Sequence, residues 1–150
     1  MTATEQRAGV VGVGYEGRDA EQFVHELLAT GVDVVVDVRL TPISRKRGFS
    51  KRALAETLEE AGIRYEHLRA LGNPKDNRAG FAGGADDLRA ALDRYSTLLA
   101  EADAVAALDR VAELATTERV AVLCFEAHDH RCHRQAVLSH VDEQLRSATN

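Results

Sequence analysis

"VDVVVDVRL", residues 32–40, decides the fold. A strand with one face on the core and one in water alternates apolar and polar residues. This run does not alternate: Val34, Val35 and Val36 follow one another, and all are β-branched. Such a run suits a strand covered on both faces, the situation of a parallel sheet between two layers of helices. It ends in charge at Asp37 and Arg39, where the strand leaves the apolar interior.

Outward from this strand the chain alternates strand and helix. "GVVGVGY" (9–15) reads as a first buried strand. Asp19 caps the helix that follows, with Gln22 three residues on as its capping-box partner, Phe23, Leu27 and Leu28 as an apolar stripe, and Gly31 as the stop. Ser50 is placed to cap a second helix carrying Leu54 and Leu58, which Gly62 ends. "IRYEHL" (63–68) alternates and predicts a more exposed strand. "RALGNPKDNRAGFAGGA" (69–85) predicts a long loop, and a loop of that length in a compact domain is usually functional. Helical periodicity covers 86–117, with a break near 100–103. "RVAVLCF" (119–125) is a buried strand, and 135–146 a last amphipathic helix. This order predicts an α/β fold: a single domain over 1–150 with a mainly parallel sheet of about four strands and helices on both faces. Sites in such sheets gather at the carboxyl ends of the strands, here Gly14-Tyr15, Asp37-Arg39 and Cys124-Glu126.

Composition narrows the classes. A hydrophobic fraction of 45% with 29% charged residues is that of a globular protein. No apolar run approaches the ~20 residues that span a bilayer, and "MTATEQRAG" carries no apolar signal segment. The expectation is a cytoplasmic protein without membrane contact, whose two cysteines are free thiols or site residues. A net charge of −5 argues against general affinity for nucleic acid, but the charge is uneven. Residues 37–52 hold six bases and one acid, whereas 85–118 hold eight acids and three arginines. A basic corner on an acidic body suits an anion or a phosphate backbone.

The chemistry concentrates in "LCFEAHDHRCHRQ" (123–135), which contains both cysteines. Cys124 ends a strand shortly before a helix, where backbone N–H groups and the helix dipole favour a thiolate nucleophile. Glu126 opposes that by adding negative charge beside the thiol. Cys124, His128, His130, Cys132 and His133 are zinc-ligand types, but they crowd one segment and adjacent Cys132 and His133 diverge unless the turn is tight, so no metal is expected. A Cys124–Cys132 disulfide is a further option. So is an anion site without covalent chemistry, at the start of the last helix, with Arg39, Arg45 and Arg134 as planar donors and Asp37 or Glu126 as base or orienter. Gly12, Gly14 and Gly17 fit a dinucleotide fingerprint, but the carboxylate of Asp19 stands where a pyrophosphate would sit, so no cofactor is expected. Of the two thiols, Cys132 is expected to be the more acidic, being at a helix start among Arg131, His133 and Arg134, and Cys124 the more buried.

Together "VGVGYEGRDAEQFVHEL", "DVRLTPISR", "GIRYEHLRALG" and the terminal Cys124-x-Glu126…Cys132-His133-Arg134 resemble domain-of-unknown-function family 488 over nearly the whole chain. The motif order is also distantly similar to rhodaneses and cysteine phosphatases. Carried over position by position, the motif residues are Asp37, Arg39, Pro42, Ser44, Cys124, Glu126, Cys132, His133 and Arg134. Many relatives have His where this chain has Tyr15.

The resulting expectation is a small enzyme acting on an anionic substrate, a phosphate-bearing small molecule or nucleic acid, at the carboxyl edge of the sheet. Asp37, Cys124, Glu126, Cys132 and His133 form its catalytic set; Tyr15, Arg39, Ser44, Arg45 and Arg134 hold the substrate. The alternative is a non-catalytic module that binds nucleic acid or a protein through the basic loop 44–52. Asp37, Arg39, Glu126 and His133 should then share one pocket.

Overall fold

The computed structural model describes residues 8–44, 46–126 and 132–148. The strands are β1 (Gly9–Gly14), β2 (Val34–Asp37), β3 (Arg64–His67) and β4 (Arg119–Cys124). The helices are α1 (Ala20–Ala29), α2 (Lys51–Glu60), α3 (Arg78–Phe81), α4 (Ala85–Leu98), α5 (Ala102–Ala115) and α6 (Arg134–Ala148). The sheet runs β1-β4-β2-β3 and every pairing is parallel. The α/β fold with helices on both faces is the one the sequence implies.

The β2 run explains itself in the core. Val34 and Val36 point to one side of the sheet, where they join Val120, Val122, Tyr95, Val111 and Val137 from α4, α5 and α6. Val35 points to the other, among Ala121, Leu123, Phe23, Leu27, Leu54 and Leu58 from α1 and α2. With both pleat faces buried, no position of β2 tolerates a polar side chain before the strand end. β3 is the edge strand, and its burial is only partial, as alternation in "IRYEHL" requires.

Helix ends are set by local chemistry. Asp19 accepts the amide of Gln22 at 2.8 Å while the Gln22 side chain accepts the amide of Asp19 at 3.1 Å, completing the capping box. Ser50 stands at the N-cap of α2 but makes no capping bond with its side chain. Its Oγ accepts the Ser44 amide at 3.0 Å and donates to the Ser44 carbonyl at 3.3 Å, closing the base of the basic loop instead. Residues 69–85 depart furthest from expectation. They form two short 3-10 turns (Arg69–Leu71 and Lys75–Asn77) and the four-residue α3. Tyr95 donates to the Leu71 carbonyl at 2.5 Å, and Asn77 donates to Ala91 at 3.0 Å, so this segment is tied to α4.

Gly14 closes β1 where the chain after β4 passes over it. A Cβ at this position would overlap the Glu126 carbonyl and come within 2.9 Å of Arg134 Nη1. Gly14→Ala should therefore cost about 2–3 kcal/mol or more, as overpacking against backbone does. Gly84→Ala, whose Cβ would meet nothing within 4 Å, should cost less than about 1 kcal/mol. Urea unfolding of the two variants beside the parent checks the contrast, and equal losses would show that the Gly14 contact is not tight.

Candidate active site

The parallel strands end together at Gly14, Asp37, His67 and Cys124, and a cavity of about 290 Å³ opens there. Tyr15, Arg39, Ser44, Asn73, Arg78, Cys124, Glu126, Cys132 and His133 contribute its polar lining. Leu40, Thr41, Ile43, Phe81 and Phe125 complete it, with Ile43 and Phe125 exposed.

One side is built on a buried ion pair. Arg39 donates from Nε to Asp37 Oδ1 at 2.9 Å and from Nη2 to Oδ2 at 2.7 Å, a two-pronged pairing of a planar fork with a carboxylate. Its Nη1 donates to Tyr15 Oη at 3.1 Å and to the Phe49 carbonyl at 2.6 Å. Asp37 also accepts the Arg39 amide at 3.0 Å and the Tyr65 hydroxyl at 2.5 Å. Burial combined with the negative charge of Asp37 pushes the Tyr65 hydroxyl well above its ordinary range. Burial lowers the Arg39 pKa, but the bonds to Asp37 and its charge outweigh that and raise it.

The floor is built around His133, just before α6. Its Nε2 lies 2.9 Å from the Val38 carbonyl, so Nε2 carries a proton and donates there. In the neutral ring Nδ1 is then an acceptor facing both thiols, Cys132 Sγ at 3.4 Å and Cys124 Sγ at 3.9 Å. The Tyr95 ring meets the imidazole edge-on at 5.1 Å between centroids. Cys132 Sγ accepts the Arg134 amide at 3.5 Å, and Cys124 Sγ lies 3.2 Å from Glu126 Oε2.

The thiols depart from the expected order of burial. Cys132 is 2% exposed and Cys124 is 7% exposed, so Cys132 is the more buried. Burial pushes the Cys132 thiol far up, and the negative charge of Cys124 and Glu126 adds to this. Cys124 is held well below its ordinary value, first by the hydrogen bond from Cys132 and then by His133, against the opposing effect of burial. The single amide bond at the helix start does not outweigh enclosure of Cys132 beneath its neighbour. Glu126 is pushed up from the carboxylate range by burial and by the charge of Cys124.

Arg39, Glu126 and His133 line the one cavity, and Asp37 lies directly behind Arg39 without reaching it. Arg134 departs from its expected place at the substrate. It is fully buried, its Nη1 donates to the Val13 carbonyl at 2.6 Å, and it does not line the cavity. Arg39 lines it, but with most of its fork engaged by protein partners. Arg45, His128, Asp129, His130 and Arg131 lie outside the described residues. The argument that Cys132 and His133 diverge also fails, because the turn before α6 is tight enough to bring their donor atoms together.

Three polar residues of the site escaped the sequence reading. Tyr65 follows from alternation once register is known, for it pairs with Val35 and leans over the end of β2 onto Asp37. Asn73 and Arg78 belong to the segment read as a loop. Asn73 lines the cavity, and its Oδ1 accepts from Asn77 Nδ2 at 2.9 Å, which fixes the amide and leaves its NH₂ as the group able to donate. Arg78 is exposed at the rim and forms no ion pair among the described residues.

Residues 19–141 match the family model described as domain of unknown function DUF488, and the chain belongs to that family. No curated protein matches it. Two crystal structures from Shewanella putrefaciens CN-32 named "Putative phosphatase (DUF442)" share 16% and 14% identity with it. The first has a TM-score of 0.46, covering 100% of this chain and 68% of the other; the second has 0.40, covering 91% and 87%.

The Asp37–Arg39 pair makes a graded prediction about stability. Asp37→Asn should cost about 3–5 kcal/mol, because it leaves a buried guanidinium without its counter-charge. Tyr65→Phe, which removes one hydroxyl donor and keeps the pair, should cost about 1–2 kcal/mol. Denaturant midpoints measure both, and a larger loss in Tyr65→Phe would contradict this ranking.

Proposed function

We propose that this DUF488 chain is an enzyme that acts on an anionic, phosphate-bearing substrate in the cavity at the carboxyl edge of the sheet. One observation carries the reading: hydrogen-bond donors and a cluster of reactive groups line the same cavity. The donors are the Asn73 amide, the Ser44 hydroxyl and the Arg78 guanidinium, with Tyr15 beside them. The cluster is Cys124, Cys132 and His133, with Glu126 against the Cys124 sulfur.

The parts differ in what they are placed to do. Arg78 and Asn73 hold the anion, since an unpaired guanidinium and an amide locked by Asn77 lose little on meeting oxygens. Ser44 has its Oγ engaged as acceptor from the Lys46 amide at 3.1 Å, which leaves its hydroxyl proton to donate. Arg39, bound to Asp37, frames the wall more than it grips a ligand. Glu126 is the group placed to move a proton, because its carboxyl borders both the cavity and the sulfur. The basic loop supports the rival reading of a binding module. Lys51 and Arg52 are exposed on α2, and Lys46 is bonded to the Tyr15 carbonyl at 3.3 Å beside the cavity.

The two readings separate on binding. Calorimetric titration with nucleoside monophosphates and sugar phosphates should find ligands whose affinity falls about 10–100-fold in Arg78→Ala, the worth of one charge-assisted hydrogen bond. Paired Lys51→Ala and Arg52→Ala should leave that affinity nearly unchanged. Loss of binding in the loop variant with none in Arg78→Ala would favour the non-catalytic module.

A further inference from the structure

We propose that Cys124, Cys132 and His133 bind one thiophilic divalent metal ion of the zinc class, with a fourth coordination position open to the cavity. This deepens the reading above by saying what the thiol–imidazole cluster holds, and it rests on that reading only for the site's being catalytic.

The first support is distance. The Sγ atoms of Cys124 and Cys132 and a ring nitrogen of His133 all lie within 4.8 Å of one another. Zinc sits about 2.3 Å from sulfur and about 2.0–2.1 Å from imidazole nitrogen, so a tetrahedral site has S···N edges of about 3.5 Å. The observed edges are 3.4 and 3.9 Å. The third edge, between the two sulfurs, is also within 4.8 Å, so all three sides suit one shared ion.

The second support is how the ligands are held. A metal-binding His commonly gives its other ring N–H to a carbonyl, which fixes both the tautomer and the ring plane. His133 does this with Val38, the residue between Asp37 and Arg39. Tyr95 packs against the ring edge, and the Arg134 amide points at Cys132 Sγ. All three ligands are buried, and two thiolates neutralise a dication, so the loaded site adds no net charge to the interior.

The third support is where the set lies. Among the described residues, the mutually close donors stop at these three. Glu126 touches Cys124 but stands outside that set. Cys124, Cys132 and His133 all line the cavity, so a position completed by a water or substrate oxygen would face it, as in catalytic zinc sites.

The experiment uses the full chain, reduced and freed of metal by a chelator, and titrated with Co²⁺ alone. One equivalent should bind with the intense thiolate-to-cobalt absorption and tetrahedral ligand-field bands, and Zn²⁺ should displace it. Zn²⁺ should also slow iodoacetamide alkylation of both cysteines about tenfold or more. Cys132→Ser and His133→Ala should lose the thiolate band, whereas Glu126→Gln should keep it. Unprotected alkylation, the absence of a thiolate band in the parent, or persistence of that band in the Cys124→Ser/Cys132→Ser double variant overturns the proposal. Loss of the band in Glu126→Gln overturns the open position. If a variant proves unfolded by circular dichroism, alkylation of the parent protein decides alone. None of these readouts uses a substrate, so failure of the phosphate-ligand test leaves them standing, and their failure leaves that test standing.

Discussion

The pairing of Asp37 with Arg39 is the constraint from which the rest of the site hangs. β2 is apolar on both faces until its last residue, so the first carboxylate on that strand emerges in a buried place. An unpaired charge there would not survive folding, and the guanidinium two residues on is the local solution. Its fork then has donors left over, and these reach Tyr15 at the end of β1 and Phe49 at the far end of the basic loop. Tyr15 and Phe49 stack at 4.4 Å between centroids, so the polar contact and the apolar one fix the same two segments. Tyr65 adds β3 through the carboxylate. One ion pair thus ties three strand ends and a loop into a single wall.

The same stretch of backbone sets the opposite side of the cavity. Val38 lies between the paired residues and is too buried to vary. Its amide donates to Leu123 at 3.1 Å, continuing the sheet to β4, and its carbonyl receives His133. The imidazole plane is therefore referenced to β2, although His133 itself is reached only after β4. Cys124 is positioned by β4, which is hydrogen-bonded to both β1 and β2 in the sheet. Sulfur and imidazole come from different elements, and the backbone of a third residue holds them in register.

How much of this was legible in the sequence depended on whether the cause was local. The continuous valines of β2, the Asp19–Gln22 box and Phe23 and Leu27 on α1 are local causes, and the architecture follows from them, although Leu28, read into the same stripe, is exposed. Strand ends of a parallel sheet converge by geometry, so Arg39, Glu126 and His133 were legible as neighbours before any coordinates. What was not legible depended on packing across distance. Arg134 reads as a surface donor at a helix start, yet it follows β1 into the interior because Gly14 leaves room beside Val13. The burial order of the thiols was misjudged because position along the chain says nothing about which sulfur is the more enclosed. Residues 69–85 read as a loop because Gly, Asn and Pro are frequent there. Their turns are held by Tyr95 and Ala91, both more than ten residues further on.

That segment also supplies part of the cavity lining. Cys124 comes from the end of β4, and Cys132 and His133 from the approach to α6. The donor wall comes from Asn73 and Arg78, on short turns braced against α4 rather than on the sheet. No strand passes through this segment, so its place follows from packing on α4 and not from sheet register. The segment that begins with "RALG" folds onto Tyr95 through the Leu71 carbonyl, and the Tyr95 ring also meets the His133 imidazole, so a change in this stretch reaches the thiol–imidazole cluster through one side chain.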